Sequence, residues 1–393
     1  MYRRRIALLL SLVLPAACRA GNDRTSTSDS TSASGQIASA ATPGAPTTSV
    51  PTTSSSAAEG MAAPPRAPNE MGRIPILEYH LVGDTEARWS RQRDQFRRDL
   101  ELLYERGYRP VTVSDLVVKQ LDLPAGLSPV AFTFDDASPS QFRYVERNGQ
   151  LEIDPTSAIG IWLDFAKTHP GWATKATFCL LPSATHGHAF FGDKGIEGQK
   201  TEWRYPKLQW LAAQGFELCD HTLWHANLAK VSDAVVQEQI ARGVMAIDSA
   251  VPGYRVRTLA LPLGVWPKNR VLAQRGAWRD AKGRSTSYDF DAILEVSGTP
   301  VPSPHDPAFD PLSLDRIQVI GSALTQVLDR LEKSGTAYVS DGDPSRIARP
   351  RPDSVIAGRI ARGTRATGPD TGAHVAAHGR LTQPPRGVLL KHD

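Results

Sequence analysis

Cysteine is scarce in this chain, with three residues among 393, too few for disulfides to stand in for a hydrophobic core. Cys179 and Cys219 fall in predicted strands and read as small buried hydrophobes, with a disulfide between them open only in an oxidising compartment. A general basic surplus is missing as well. Net charge is +4, but residues from Ser345 onward hold nine Lys or Arg against three Asp, more than the whole excess. The body of the chain is therefore slightly acidic and offers no basic face for nucleic acid. Apolar material is not short: 40% of the residues are hydrophobic, enough for a sizeable core.

A membrane-spanning run is also lacking at the start of the chain. Arg3, Arg4 and Arg5 precede an apolar stretch from Ile6 to Leu14 that is too short to anchor in a bilayer. That layout, over residues 1–18, is that of a secretory signal peptide and predicts an exported protein of the periplasm or cell surface. Leu14-Pro15-Ala16-Ala17-Cys18 resembles a bacterial lipobox, in which the cysteine is lipidated after cleavage. Ordinary cleavage nearby would leave a freely secreted protein. Membrane contact is then expected only through the signal or the lipid anchor. Residues 19–70 are Ser, Thr, Ala, Gly and Pro with few large apolar side chains, the composition of a flexible tether. Residues 345–393 read as a mobile basic tail, and a folded domain is predicted over 71–344.

Within that domain, a strand ending at His80, a helix over 92–106 stopped by Gly107, and a short strand over 109–113 come first. Ser114 is placed to cap the next helix. In the stretch VAFTFDDA, residues 130–137, Val130, Phe132 and Phe134 alternate with smaller residues as a buried strand does. Residues 142–153 set two β-rich segments around Asn148-Gly149, the signal for a type I′ hairpin inserted after that strand. Further strands at 175–182, 215–219, 257–261, 290–297, 316–320 and 336–340 alternate with helices at 154–166, 205–214, 233–249 and 323–333. Residues 183–200 have no periodicity and read as a loop. Short apolar strands alternating with helices predict an α/β fold, a complete or incomplete (β/α) barrel of seven to eight strands.

Polar chemistry concentrates at two strand ends. Asp135 and Asp136 close the apolar run, where adjacent like charges repel and a cation would relieve them. His221-Thr222-Leu223-Trp224-His225 sets two imidazoles four residues apart, which suits two ligands on one cation. Thr222 stands where a zincin carries its glutamate, so that class is excluded. Taken alone, either pair also reads as a polar turn. Both, however, follow the C-terminal end of a predicted strand, the face that carries the chemistry in barrel enzymes. One aspartate with two histidines leaves open positions for water.

These residues resemble the motifs of the polysaccharide deacetylases, carbohydrate esterase family 4 (the NodB homology domain). The first family motif, T-[FY]-D-D, is Thr133-Phe134-Asp135-Asp136 here, and the second, H-[ST]-x-x-H, is His221 to His225. The resemblance runs over residues 74–344. It implies a distorted (β/α) barrel of about seven strands, with a divalent metal held by Asp136, His221 and His225. That metal is most often zinc, and such a ligand set also accepts cobalt, nickel or iron. It implies Asp135 as general base, and N-acetyl groups of an amino-sugar polysaccharide or oligosaccharide as the substrate.

Two departures stand out. Leu261-Pro262-Leu263-Gly264 keeps the proline and glycine of the third motif, R-x-P-x-G, but Ala260 stands where an arginine orients the base. This looks like the subgroup with an Ala-x-Pro-x-Gly motif. The strand at 316–320 lacks the histidine that serves as general acid, so His80 and His305 are the candidate proton donors. Pro262, Gly264 and Trp224 are candidates for substrate binding, with Trp203 and Trp266 as further sugar platforms. Asp220 is placed to orient a ligand histidine or to cap the following turn, and His186 and His188 read as surface residues. The missing arginine and histidine also admit a glycan-binding protein on a decayed scaffold. A metal hydrolase acting on O-acetyl esters is a third expectation.

Overall fold

The computed structural model describes residues 66–183 and 189–350. The signal peptide, Cys18, His186 and His188, most of the expected tether and most of the basic tail lie outside the described residues. The first half of the fold contains β1 (Ile76–Tyr79), β2 (Leu81–Gly83), β3 (Ser90–Gln92), α1 (Arg93–Glu105), β4 (Tyr108–Val111), α2 (Val113–Val117), β5 (Ser128–Phe134), β6 (Tyr144–Arg147), β7 (Gln150–Ile153) and α3 (Ala158–Thr168). The second half adds β8 (Thr177–Leu180), α4 (Arg204–Ala213), β9 (Glu217–Asp220), α5 (Asp233–Ala250), β10 (Thr258–Ala260), α6 (Val271–Gln274), β11 (Arg275–Arg279), β12 (Ser285–Asp289), β13 (Ala292–Leu294), β14 (Ile317–Gln318) and α7 (Ala323–Ser334).

The main sheet runs β13-β10-β9-β8-β5-β1-β14, with β4 on β5, and every pairing in it is parallel. It curls back on itself. Leu314 bridges to Leu294 of β13, and three residues later Ile317 pairs with Leu77 of β1. One extended segment thus touches both edges of the sheet, giving the distorted barrel the alternation predicts. The hairpin β6–β7 follows β5, with Asn148 (φ 52°) and Gly149 (φ 75°) both left-handed as a type I′ turn requires.

Side chains alternate between two environments along each strand. Outward-facing Tyr79, Phe132, Phe134 and Phe178 meet the helices and each other; the Phe134 and Phe178 rings stack at 4.8 Å. Inward-facing Ile76, Ala131, Cys179, Cys219, Ala260 and Ala292 are mostly small, as a narrow barrel demands. Beneath them sits a polar layer. The Glu217 carboxylate accepts from Ser114 N (3.0 Å), Ser114 Oγ (2.7 Å), Thr177 Oγ1 (2.9 Å) and Thr258 Oγ1 (2.6 Å).

Several expectations are corrected at this level. Thr112, not Ser114, caps α2, in a reciprocal capping box with Asp115. The antiparallel hairpin β11–β12 has no counterpart in the sequence reading. Residues 336–340 form isolated bridges to Asn69 and Arg73 rather than a full strand. Cys179 and Cys219 are register partners on β8 and β9 and form a disulfide, the pairing left open for an oxidising compartment, rather than two free small hydrophobes. Packed structure also extends past 71–344: Glu70 is buried, and Glu70 N donates to the Ala348 carbonyl.

Replacing Glu217 by alanine strands four donors at once, those of Thr177 and Thr258 buried and both of Ser114 partly buried. The expected loss is about 3–5 kcal/mol of folding stability, read as a lower urea midpoint; a shift of only a few tenths would show that this layer contributes little.

Candidate functional site

Arg316, fully buried just before β14, organises the upper end of the barrel. Its Nε donates to the Glu295 carbonyl (2.9 Å), and Nη1 to Thr133 Oγ1 (3.1 Å) and Asp135 Oδ1 (2.7 Å). Nη2 donates to Asp135 Oδ2 (2.8 Å) and lies 2.8 Å from Glu78 Oε1. Four hydrogen bonds and the Glu78 ion pair thus surround the guanidinium, and Asp135 is gripped by a two-pronged fork. Burial alone would raise the Asp135 carboxyl, but the charges of Arg316 and His221 outweigh it and hold the group well below the ordinary carboxylate range. At Glu78 burial prevails and pushes the carboxyl up despite the same guanidinium. Sequence reasoning passed over Arg316. The signal was a charged residue leading an apolar strand in a chain whose third motif lacks its arginine.

Asp136, His221 and His225 meet beside this fork. Asp136 Oδ1 is 3.5 Å from His221 Nε2 and 3.8 Å from His225 Nε2, and ligand atoms of all three residues lie within 4.8 Å of one another. Such spacings suit an ion between the groups better than hydrogen bonds. His221 Nδ1 lies 2.9 Å from the Ala260 carbonyl, which fixes Nδ1 as the donor and aims Nε2 at the carboxylates. That Nε2 is buried and has no hydrogen-bond partner. An unsatisfied imidazole nitrogen facing carboxylates is the chemistry a divalent cation would complete, so the residues fit a metal.

The backbone is bent to bring the ligands together. Asp136 (φ 73°), Thr222 (φ 68°) and His225 (φ 61°) are left-handed without being glycine, at about 1–3 kcal/mol each. Asp136 follows Asp135 directly, and neighbours on a strand point opposite ways; its left-handed backbone breaks that alternation. Asp220 Oδ1 accepts from Thr222 N (3.0 Å), and Thr222 Oγ1 accepts from His225 N (3.2 Å), which pins the ligand turn. Asp220 therefore caps the turn and does not touch a ligand ring. Helix α5 passes so close that a Cβ on Gly243 would lie 2.1 Å from Asp220 Oδ1.

The other candidates divide. His80 follows β1 and joins Glu78 and Asp135 in a second cluster of close ligand atoms, its ring against Trp89 at a centroid distance of 4.7 Å. Gln141 Nε2 donates to the carbonyls of both His80 (2.7 Å) and Asp135 (2.5 Å), tying the two segments together. His305 is not in this group. It sits near Glu70 and Lys119, beside Ser303, whose Oγ donates to the Glu70 carbonyl ahead of β1. The chain after β13 descends to the opposite end of the barrel before rising to β14, so His305 is removed as a proton donor. Trp224 is 47% exposed beside the ligand turn. Pro262 is buried, Leu263 (φ 61°) is 60% exposed, and Gly264 (φ 63°) lies against Val296. Trp203 is buried against Tyr144, and Trp266 packs on the core under Arg270, so neither is a free sugar platform.

Charge sets the protonation of the ligands. Burial lowers the His221 imidazole, but Asp135 and Asp136 raise it more, to about 9. Burial and the His221 charge both lower His225. A proton and a metal ion therefore compete for His221 Nε2. Affinity for zinc is expected to rise with pH, by up to about tenfold per unit, and to level off near pH 9. Competition against a zinc indicator across that range checks it, and a flat profile would contradict the charge assignment.

Residues 172–277 match the family model described as polysaccharide deacetylase, a span that holds His221, His225, Pro262 and Gly264. No curated protein matches the chain. Among solved structures, the deacetylase PplD of Streptococcus pyogenes in complex with acetate aligns at 17% identity, covering 65% of this chain and 97% of that one, with a TM-score of 0.45. IcaB from Ammonifex degensii aligns at 18% identity over 67% of this chain and 98% of that one, also at 0.45. The putative polysaccharide deacetylase BA0330 from Bacillus anthracis aligns at 14% identity over 65% and 68%, again at 0.45.

Proposed function

We propose that this chain is a metal-dependent hydrolase that removes N-acetyl groups from an N-acetylhexosamine-containing polysaccharide at the cell envelope. The observation that carries the reading is the juxtaposition of two units. One is the Asp136–His221–His225 cluster with its unsatisfied Nε2; the other is Asp135, ionised and held by Arg316. The deacetylase family model over residues 172–277 supports it. The binding-only alternative draws on the missing arginine of the third motif and the missing histidine of the strand at 316–320; Arg316 against Asp135, with His80 close by, favours the hydrolase.

A divalent cation held by Asp136, His221 and His225 would supply Lewis acidity toward water and the acetamide carbonyl. Asp135 accepts the proton of the attacking water as general base. Its fork to Arg316 keeps the carboxylate ionised and fixes both oxygens, so little reorganisation accompanies the proton transfer. His80, on the other side of Asp135 from the ligand turn, donates to the departing amine nitrogen, its ring steadied by Trp89. Trp224, Pro262 and Gly264 border the mouth where the sugar binds. The same proposal includes export and tethering through Cys18, motivated by Arg3–Arg5 and the apolar run after them. Cys18→Ser is expected to move the protein from the membrane fraction to the soluble one, and an unchanged distribution would refute the lipid anchor.

Acetate release from N-acetylglucosamine oligomers is expected to vanish with chelator and return with zinc. Asp135→Asn should lower turnover about 10²–10⁴-fold while retaining bound metal. His80→Ala should lower it by about 10²-fold or more. Arg316→Lys keeps the charge but loses the fork, and should reduce kcat at unchanged metal content. Near wild-type turnover in Asp135→Asn would sink the base assignment, and release from O-acetylated but not N-acetylated substrates would move the reading to an esterase.

A further inference from the structure

The His221–His225 turn has a second side. While its histidines face the metal cluster, Leu223 faces a cavity of about 480 Å³ between α4, α5 and the hairpin β11–β12. Ser183 N donates to the Leu223 carbonyl (3.0 Å), and Leu223 N donates to the Gln239 carbonyl of α5 (2.9 Å). The ligand turn is therefore the wall between the two spaces.

The cavity's chemistry is specific. Tyr205 of α4 is 41% exposed, and Trp278 of β11 lies under the guanidinium of Arg242 at 5.7 Å. Arg204, Arg242 and Arg284 each line it, and each has a carboxylate partner: Asp193 (3.4 Å), Glu238 (2.7 Å) and Asp280 (2.6 Å). Three positive charges are thus offset by three negative ones, so the cavity is rich in N–H donors without a net charge to draw a polyanion. Aromatic faces accept the C–H side of a sugar ring, and guanidinium donors pair with hydroxyl and acetamide oxygens. The volume falls within the range of small-ligand sites.

We propose that this cavity is a second subsite for uncharged N-acetylhexosamine residues of the same glycan chain, bound across the ligand turn from the metal. The proposal rests on the deacetylase reading for the identity of the sugar. It makes the hairpin β11–β12 a chain-length sensor, so long oligomers bind more tightly than short ones that fill the mouth alone.

Calorimetric binding of N-acetylglucosamine oligomers to the zinc-loaded full chain tests this, alongside acetate release. Wild type is expected to bind long oligomers roughly tenfold more tightly than di- or trisaccharides, a gain typical of one added stacking contact. Trp278→Ala should abolish that gain and leave turnover of the trisaccharide unchanged. Tyr205→Ala, at an exposed position, repeats the test without touching the core. Equal binding of short and long oligomers by wild type overturns the subsite, as does an intact gain in both variants. A gain that collapses with added salt overturns its uncharged character. Loss of the gain with no acetate release from any oligomer leaves the subsite standing and removes the deacetylase. Acetate release with an unaltered gain does the reverse.

Discussion

One buried guanidinium governs the upper end of this barrel. Arg316 lies between Glu78 and Asp135, with no solvent to share the load. Burying three charged groups together is unfavourable unless each donor is matched, because ion desolvation removes several kcal/mol per group. Here the guanidinium makes four hydrogen bonds and an ion pair with Glu78, and that pairing makes the arrangement tolerable. Two further consequences follow. Asp135 stays ionised although fully buried, and β14 is drawn against β1, which closes the ring.

The neighbouring cluster shows the opposite condition. Where Arg316 is well paired, His221 Nε2 is left open, and Asp136, Thr222 and His225 around it are held in left-handed conformations. A fold built for stability alone would fill that position and relax those angles. Strain and unsatisfied polarity gathered at one spot mark the place where binding takes over from folding. The Ala260 carbonyl takes part in this. Its oxygen lies against His221 Nδ1, and the arginine beside Asp135 comes from just before β14 rather than from position 260.

Polar residues in the barrel interior lie in layers because period-two alternation stacks them. Glu217, Thr177 and Thr258 form one hydrogen-bonded group, Cys179 and Cys219 pair two residues further along β8 and β9, and Glu78, Thr133 and Arg316 form a second polar group. Small interior residues keep the barrel narrow, and the narrow barrel brings Asp136 after β5 and His221 and His225 after β9 within 4.8 Å of one another. On its other side the His221–His225 turn is tied to α5, where Leu223 N donates to the Gln239 carbonyl.

Much of this was legible along the chain because it is local. Alternation at Val130–Phe134, the Asn148-Gly149 turn, and the two ligand-bearing segments after apolar runs all report on neighbours in sequence, and the structure brings Asp136, His221 and His225 together. What the sequence could not yield depended on long-range return paths. Arg316 and Asp135 are 181 residues apart, and nothing in either neighbourhood names the other. His305 looked close to the site because it precedes the closing strand, yet the loop carrying it first runs to the far end of the barrel. Cys179 and Cys219 became partners only when β8 and β9 settled into register. Local pattern determined the strands, the hairpin and the chemistry at their ends; tertiary closure decided which charge meets which, because only the closed barrel brings distant strands within hydrogen-bonding distance.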